Sequence, residues 1–156
     1  MNAGYLYFTD ELAIIDRAMR LVIPCPVSLR VKDGAWEAVA GLWKTSPNAL
    51  TTYALNDLRI RYLPPLEGSF AADPEEAVPA GALVFPRYSP DADTSLSVLG
   101  RIEALQRLQE AGYALKDSLN TAKVSEMVDW IKSVECYEMK VGSLKSAVSI
   151  VKDLFG

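Results

Sequence analysis

The chain has 156 residues, half of them hydrophobic, which is enough to bury a substantial core and predicts a single domain over 1–156. A net charge of −4 with no cluster of Lys and Arg argues against nucleic acid as a partner. No apolar run approaches the roughly 20 residues that span a bilayer and no basic start precedes an apolar signal core, so no membrane partner is expected and the cytoplasm is the expected compartment.

Tyr5-Leu6-Tyr7-Phe8 is an aromatic, β-prone run that ends at two adjacent carboxylates, Asp10 and Glu11. Leu12-Ala13-Ile14-Ile15 is a second apolar run, and it ends at Asp16. The pattern predicts two strands with an acidic pair at the corner between them. In an open α/β sheet the carboxyl end of a strand is where ligands are held, and adjacent carboxylates there suit Mg²⁺ on a nucleotide phosphate. The alternative is a tight turn that presents Asp10 and Glu11 to solvent.

Further along, Arg20-Leu21-Val22-Ile23-Pro24 predicts a third short strand, ended by Pro24 and Pro26. Lys32-Asp33-Gly34-Ala35 is a turn signal, and Trp36 and Trp43 are suited to anchor a loop or short helix against the sheet. Leu58-Arg59-Ile60-Arg61-Tyr62-Leu63 alternates apolar and basic residues, a half-exposed strand stopped by Pro64 and Pro65. Residues 64–79, rich in Pro, Ala, Glu and Gly, predict a surface loop. Gly81-Ala82-Leu83-Val84-Phe85 predicts a buried strand, with Pro86-Arg87-Tyr88-Ser89-Pro90 turning out of it.

Thr94, Ser95 and Ser97 are expected to cap the helix that follows, in which Leu99, Ile102, Leu105, Leu108 and Ala111 recur at spacings of three until Gly112. A second helix is predicted over 123–134 with Val124, Met127, Val128 and Ile131 inward. Cys136-Tyr137-Glu138-Met139-Lys140-Val141 alternates as a strand. Ser143 then caps a last helix whose stripe is Leu144, Ala147, Val148, Val151 and Leu154. The fold class is therefore mixed α/β, with strands mostly in the first 90 residues and helices packed from the C-terminal third.

Three segments in this order resemble the HPr kinase/phosphorylase-like family, relatives of phosphoenolpyruvate carboxykinase. Tyr7-Phe8-Thr9-Asp10-Glu11-Leu12 resembles its acidic-pair strand, Ile23-Pro24-Cys25-Pro26-Val27-Ser28-Leu29-Arg30 its Pro-rich stretch, and Val84-Phe85-Pro86-Arg87-Tyr88 a later segment before a helix. The likeness runs with interruptions over 5–154. It implies a kinase-like site with Asp10 as general base or metal ligand, Glu11 assisting at Mg²⁺, and Arg87 approaching a phosphate or acidic group through bidentate contacts. From the residues alone, an ordinary surface arginine paired with Asp91 or Asp93 is the alternative for Arg87.

The family's Gly-x-x-x-x-Gly-Lys-Ser/Thr loop stands upstream of the acidic pair, and nine residues precede Asp10 here. The nearest imitation, Gly41-Leu42-Trp43-Lys44-Thr45, has Trp43 where the glycine before the lysine must be and Ala38 where the first glycine must be. A bulky side chain there blocks the approach of backbone N–H groups to phosphate. The chain thus reads as the part of a kinase-like domain downstream of the P-loop.

Two functions follow. One is a non-catalytic interaction or regulatory protein, as a homodimer or with a protein partner. The other is part of an ATP-dependent serine kinase whose P-loop comes from an upstream segment or another chain, with Mg²⁺ and ATP as cofactors only in that case. Cys25 and Cys136 are the only cysteines and histidine is absent, which excludes His-dependent nucleophile systems and His-ligated zinc but leaves phosphoryl transfer open.

Overall fold

The computed structural model describes residues 4–16, 18–41, 50–111 and 120–156. Trp43 and Lys44 of the rejected P-loop imitation, and Gly112 at the expected helix end, lie outside the described residues. The described residues are mixed α/β, with three three-stranded sheets and four α-helices, and the chain divides into two compact units, Met1–Pro79 and Ala80–Gly156.

The first unit runs β1 (Ile14–Asp16), β2 (Leu21–Ile23), β3 (Leu29–Lys32), α1 (Trp36–Val39), β4 (Thr52–Leu55), β5 (Leu58–Leu63) and β6 (Val78–Pro79), with 3-10 turns at Asp33–Ala35 and Pro74–Glu76. β2 lies between β1 and β6, and β5 between β3 and β4, all neighbours antiparallel. The β1–β2 turn closes on itself through Asp16, whose carboxylate accepts the Met19 amide at 2.7 Å. The β4–β5 hairpin turns on Asn56 and Asp57, and Asn56 at φ 55° supplies the left-handed backbone such a turn needs.

β5 occupies the residues its alternation predicts, with Ile60 buried on one face and Leu63 on the other. Among the described residues of this unit, Val31, Ile60, Leu63 and Ala71 are buried, as is Pro24. The expected surface loop over 64–79 contains a 3-10 turn closed by a capping box between Asp73 and Glu76, but its last two residues are strand β6, paired with β2.

The aromatic run before the acidic pair forms less strand than expected. Tyr7 makes an isolated parallel bridge with Phe70, its N–H bonded to the Ser69 carbonyl at 2.8 Å and its carbonyl accepting the Ala71 amide at 3.0 Å. On the next residue, the Phe8 carbonyl accepts the Cys25 amide at 2.8 Å. The backbone groups of this stretch are thus shared between two segments rather than given to one ladder.

The second unit runs β7 (Ala82–Tyr88), β8 (Ser95–Val98), α2 (Arg101–Glu110), α3 (Thr121–Ser133), β9 (Glu135–Val141) and α4 (Leu144–Phe155). β9 is central, parallel to β7 and antiparallel to β8. Tyr137 packs edge-on against Phe155 of α4 at 6.3 Å between ring centroids, while Glu138 pairs with Arg107 of α2 at 2.7 Å. Adjacent residues of a strand point to opposite faces, so helices cover β9 on both sides. Leu99, Ala104, Trp130, Ile131, Val134, Cys136, Met139 and Ala147 are buried here.

Four local expectations are corrected in this unit. Val124 of α3 and Leu144, Val148 and Leu154 of α4, expected to face inward, are exposed. Pro86 does not end its strand: β7 continues through Tyr88, as a proline can on an edge strand, where one side needs no N–H donor. Thr94, Ser95 and Ser97 do not cap α2, which is entered through Gly100 without a side-chain cap bond. Ser95 and Ser97 lie in β8, and Thr94 Oγ1 accepts the amides of Gly142 at 3.1 Å and Ser143 at 2.9 Å, tying the start of β8 to the β9–α4 turn. Ile102, spaced as a core residue, is 78 % exposed, and Ala104 is the buried residue of α2. Ser143 caps α4 as expected, accepting the Ser146 amide at 3.4 Å, and Asn120, not anticipated, caps α3 by accepting the Lys123 amide at 2.9 Å.

Candidate functional site

Asp10 and Glu11 lie on a tight turn that Thr9 and Leu12 close. Thr9 Oγ1 donates to the Leu12 carbonyl at 2.8 Å, the Leu12 amide bonds back to the Asp10 carbonyl, and Glu11 is held at φ 22°. The turn aims both carboxylates at one residue of β3. Asp10 Oδ2 accepts the backbone N–H of Arg30 at 2.7 Å, and Glu11 Oε1 pairs with Arg30 Nη1 at 2.6 Å. Nearby, the Tyr7 hydroxyl donates to the Val27 carbonyl at 2.8 Å, so three side chains of residues 7–11 stitch this segment to residues 27–30.

The electrostatics fit a clasp. The hydrogen bond that Arg30 donates to Glu11, and then the charge of Glu11, hold the guanidinium above its ordinary pKa, while burial opposes them. Burial first, then the charges of Asp10 and Cys25, push the Tyr7 phenol up, which keeps it protonated as the donor to Val27. Arg30 Nε is buried without a hydrogen-bond partner, so the guanidinium is only partly satisfied.

A divalent ion at Asp10 and Glu11 would share carboxylates with a guanidinium already within 2.6 Å of one of them. Mg²⁺ demands near-octahedral oxygen ligation, and a fixed positive charge beside the pair works against a second cation. Among the described residues no group of three or more His, Cys, Asp or Glu side chains is placed to hold a metal. The residues present do not fit a resident Mg²⁺ while the Arg30 bonds stand.

Arg87 belongs to the second unit, on the exposed end of β7, where its register partner is Lys140. Among the described residues it forms no ion pair with Asp91 or Asp93. A cleft of about 240 Å³ in the same unit is lined by Val98, Leu99, Arg101, Val134, Cys136 and Tyr137 among others. It is smaller than ordinary ligand pockets, its Arg101 guanidinium donates to the Lys132 carbonyl at 3.2 Å, and burial holds the Cys136 thiol protonated above its usual range.

Sequence reasoning found Asp10 and Glu11 but missed Arg30, the residue that defines their chemistry. Arg30 closes the Pro-rich stretch quoted above, yet nothing in that stretch says that its amide and guanidinium return to residues 20 and 19 positions earlier.

The two carboxylates differ in what their loss should cost. Asp10→Ala leaves the part-buried Arg30 amide without its acceptor and should destabilise the first unit by about 1–3 kcal/mol. Glu11→Ala removes an ion pair whose partners are 25 % and 57 % exposed and should cost under about 1 kcal/mol. Urea denaturation followed by near-ultraviolet dichroism measures both, and a larger loss for Glu11 than for Asp10 would reverse the assignment.

No family model, curated protein or solved structure matches the chain.

Proposed function

We propose that this chain is an HPr-kinase-like protein acting as a non-catalytic interaction or regulatory protein, in which the acidic pair is a structural clasp. The observation that carries this reading is the double engagement of Arg30, whose amide bonds Asp10 and whose guanidinium pairs with Glu11. A general base or metal ligand must present its carboxylate to substrate or ion, and these carboxylates are directed at β3 instead. The order of the acidic corner, the Pro-rich stretch and the Val84-Phe85-Pro86-Arg87-Tyr88 strand supports the family.

The partner is a second copy or another protein, met in the cytoplasm. Leu6, Leu12, Ile14 and Met19 of the first unit are 55 %, 67 %, 40 % and 68 % exposed, an apolar set clustered in sequence around the clasp. Sedimentation should show a dimer or a complex at micromolar concentration, weakened by Leu12→Glu; a strict monomer up to high micromolar would remove the homodimer.

Incubation with Mg²⁺ and ATP tests the non-catalytic reading. No phosphate release or transfer above the protein-free background is expected from the wild type or Asp10→Ala. Metal-dependent turnover that Asp10→Ala abolishes would establish the kinase reading in its place.

A further inference from the structure

A second cluster in the first unit takes no part in the clasp. Arg59 and Arg61 alternate along β5, so both project from one face of the sheet. The guanidinium carbon of Arg61 lies 3.7 Å from the ring centroid of Trp36, and that of Arg59 lies 5.2 Å from the same centroid. The platform is fixed at two points. Trp36 Nε1 donates to the Val31 carbonyl at 3.1 Å, and Arg61 Nε donates to Thr52 Oγ1 at 3.1 Å.

Among the described residues, no carboxylate forms an ion pair with either arginine. Two like charges are thus gathered on one aromatic ring without an ion-paired carboxylate. Stacking explains why a guanidinium rests on an indole, but it needs only one arginine. With its Nε engaged, Arg61 keeps its terminal N–H groups, and Arg59, whose side chain is exposed, keeps its whole planar fork.

We propose that Arg59 and Arg61, held on Trp36, form a binding site for a phosphate monoester dianion. Two guanidinium forks match the oxygens of a tetrahedral phosphate, and two positive charges match the near-double charge of a monoester at neutral pH. A phosphodiester carries one charge per phosphate, and a chain with net charge −4 offers a polyanion little beyond this spot. The site stands on residues separate from Asp10 and Glu11, so it holds or fails independently of the kinase-like reading.

The test is ¹⁵N nuclear magnetic resonance on the full chain, reading the Trp36 Nε1–H and Arg61 Nε–H signals during titration with phenyl phosphate, O-phosphoserine and inorganic phosphate. Saturable shifts of both signals are expected. Arg59→Gln, on an exposed side chain, should weaken binding by about tenfold or more while leaving the amide spectrum folded. Arg61→Lys, which keeps the charge but loses the fork, should weaken it as well.

Esters that bind better than inorganic phosphate assign a phosphorylated molecule, and equal binding assigns the free anion; both support the site. No saturable shift in the wild type, or unchanged affinity in a folded Arg59→Gln, overturns it. Oligothymidylate binding as tightly per phosphate as phenyl phosphate overturns the monoester and makes the patch a nucleic-acid contact.

Discussion

Replacing Ile131 with alanine is expected to destabilise the second unit by about 2–5 kcal/mol, among the largest effects of any single substitution in the chain. Ile131 is 1 % exposed and sits beside Trp130 on the buried face of α3, the helix that contacts both α2 and β9. Removing three carbons there loses their transfer free energy and leaves a cavity that packed neighbours fill only in part. With a urea dependence of about 1–3 kcal/mol per molar, the transition of this unit should move by roughly 0.7 molar or more. Ile131→Val should lose no more than about 1.5 kcal/mol, and a similar loss in both variants would mean the site is not close-packed.

The Gly142→Ala substitution is expected to destabilise the same unit through the opposite fault, by about 3 kcal/mol. A Cβ at Gly142 would fall inside van der Waals contact of the Ala92 backbone carbonyl, with the Ser89 carbonyl 3.4 Å away. Backbone cannot rotate out of the way as a side chain would. The bonds that the Gly142 and Ser143 amides donate to Thr94 Oγ1 would have to stretch in the same movement, and those bonds tie β8 to the entry of α4. Thr94→Val removes the bonds without the clash and should cost less, about 1–3 kcal/mol. Amide exchange at Gly142 and Ser143 distinguishes the two: both variants expose these amides, and only Gly142→Ala should also loosen the Ser89–Ala92 turn.

The parts of the fold legible in sequence are those where one local signal faces no rival. β5 follows from Leu58, Ile60 and Tyr62 alternating with Arg59 and Arg61, and Ser143 announces α4 by its own hydroxyl. Where two signals compete, tertiary pairing decides. Ser95 and Ser97 have the chemistry of caps but lie in β8, because β9 offers that segment a complete ladder on one side. Ile102 has core spacing and remains 78 % exposed, since α2 is turned so that Ala104 faces inward. Proline at 86 reads as a strand end only if the strand has neighbours on both sides, and β7 is an edge.

The site followed the same division. Adjacent acids at the end of an aromatic run were visible, but the direction of their side chains depends on Arg30, and that pairing exists only once β3 is folded beneath the turn. In the same way, alternation placed Arg59 and Arg61 on one face, whereas their shared ring comes from α1, on the far side of a turn whose packing no local pattern encodes.

The central claim, that Asp10 and Glu11 are spent on Arg30 rather than offered to a metal, is tested most directly by the Arg30 amide itself. In ¹⁵N spectra that N–H should resonate downfield, as expected of a charge-assisted bond to a carboxylate, and should be protected from exchange. Asp10→Ala should remove both features, and millimolar Mg²⁺ should leave the Asp10, Glu11 and Arg30 signals where they are. Saturable movement of those signals with Mg²⁺, together with loss of protection at the Arg30 amide, would show that the acidic pair releases its arginine to bind a cation and would contradict the account.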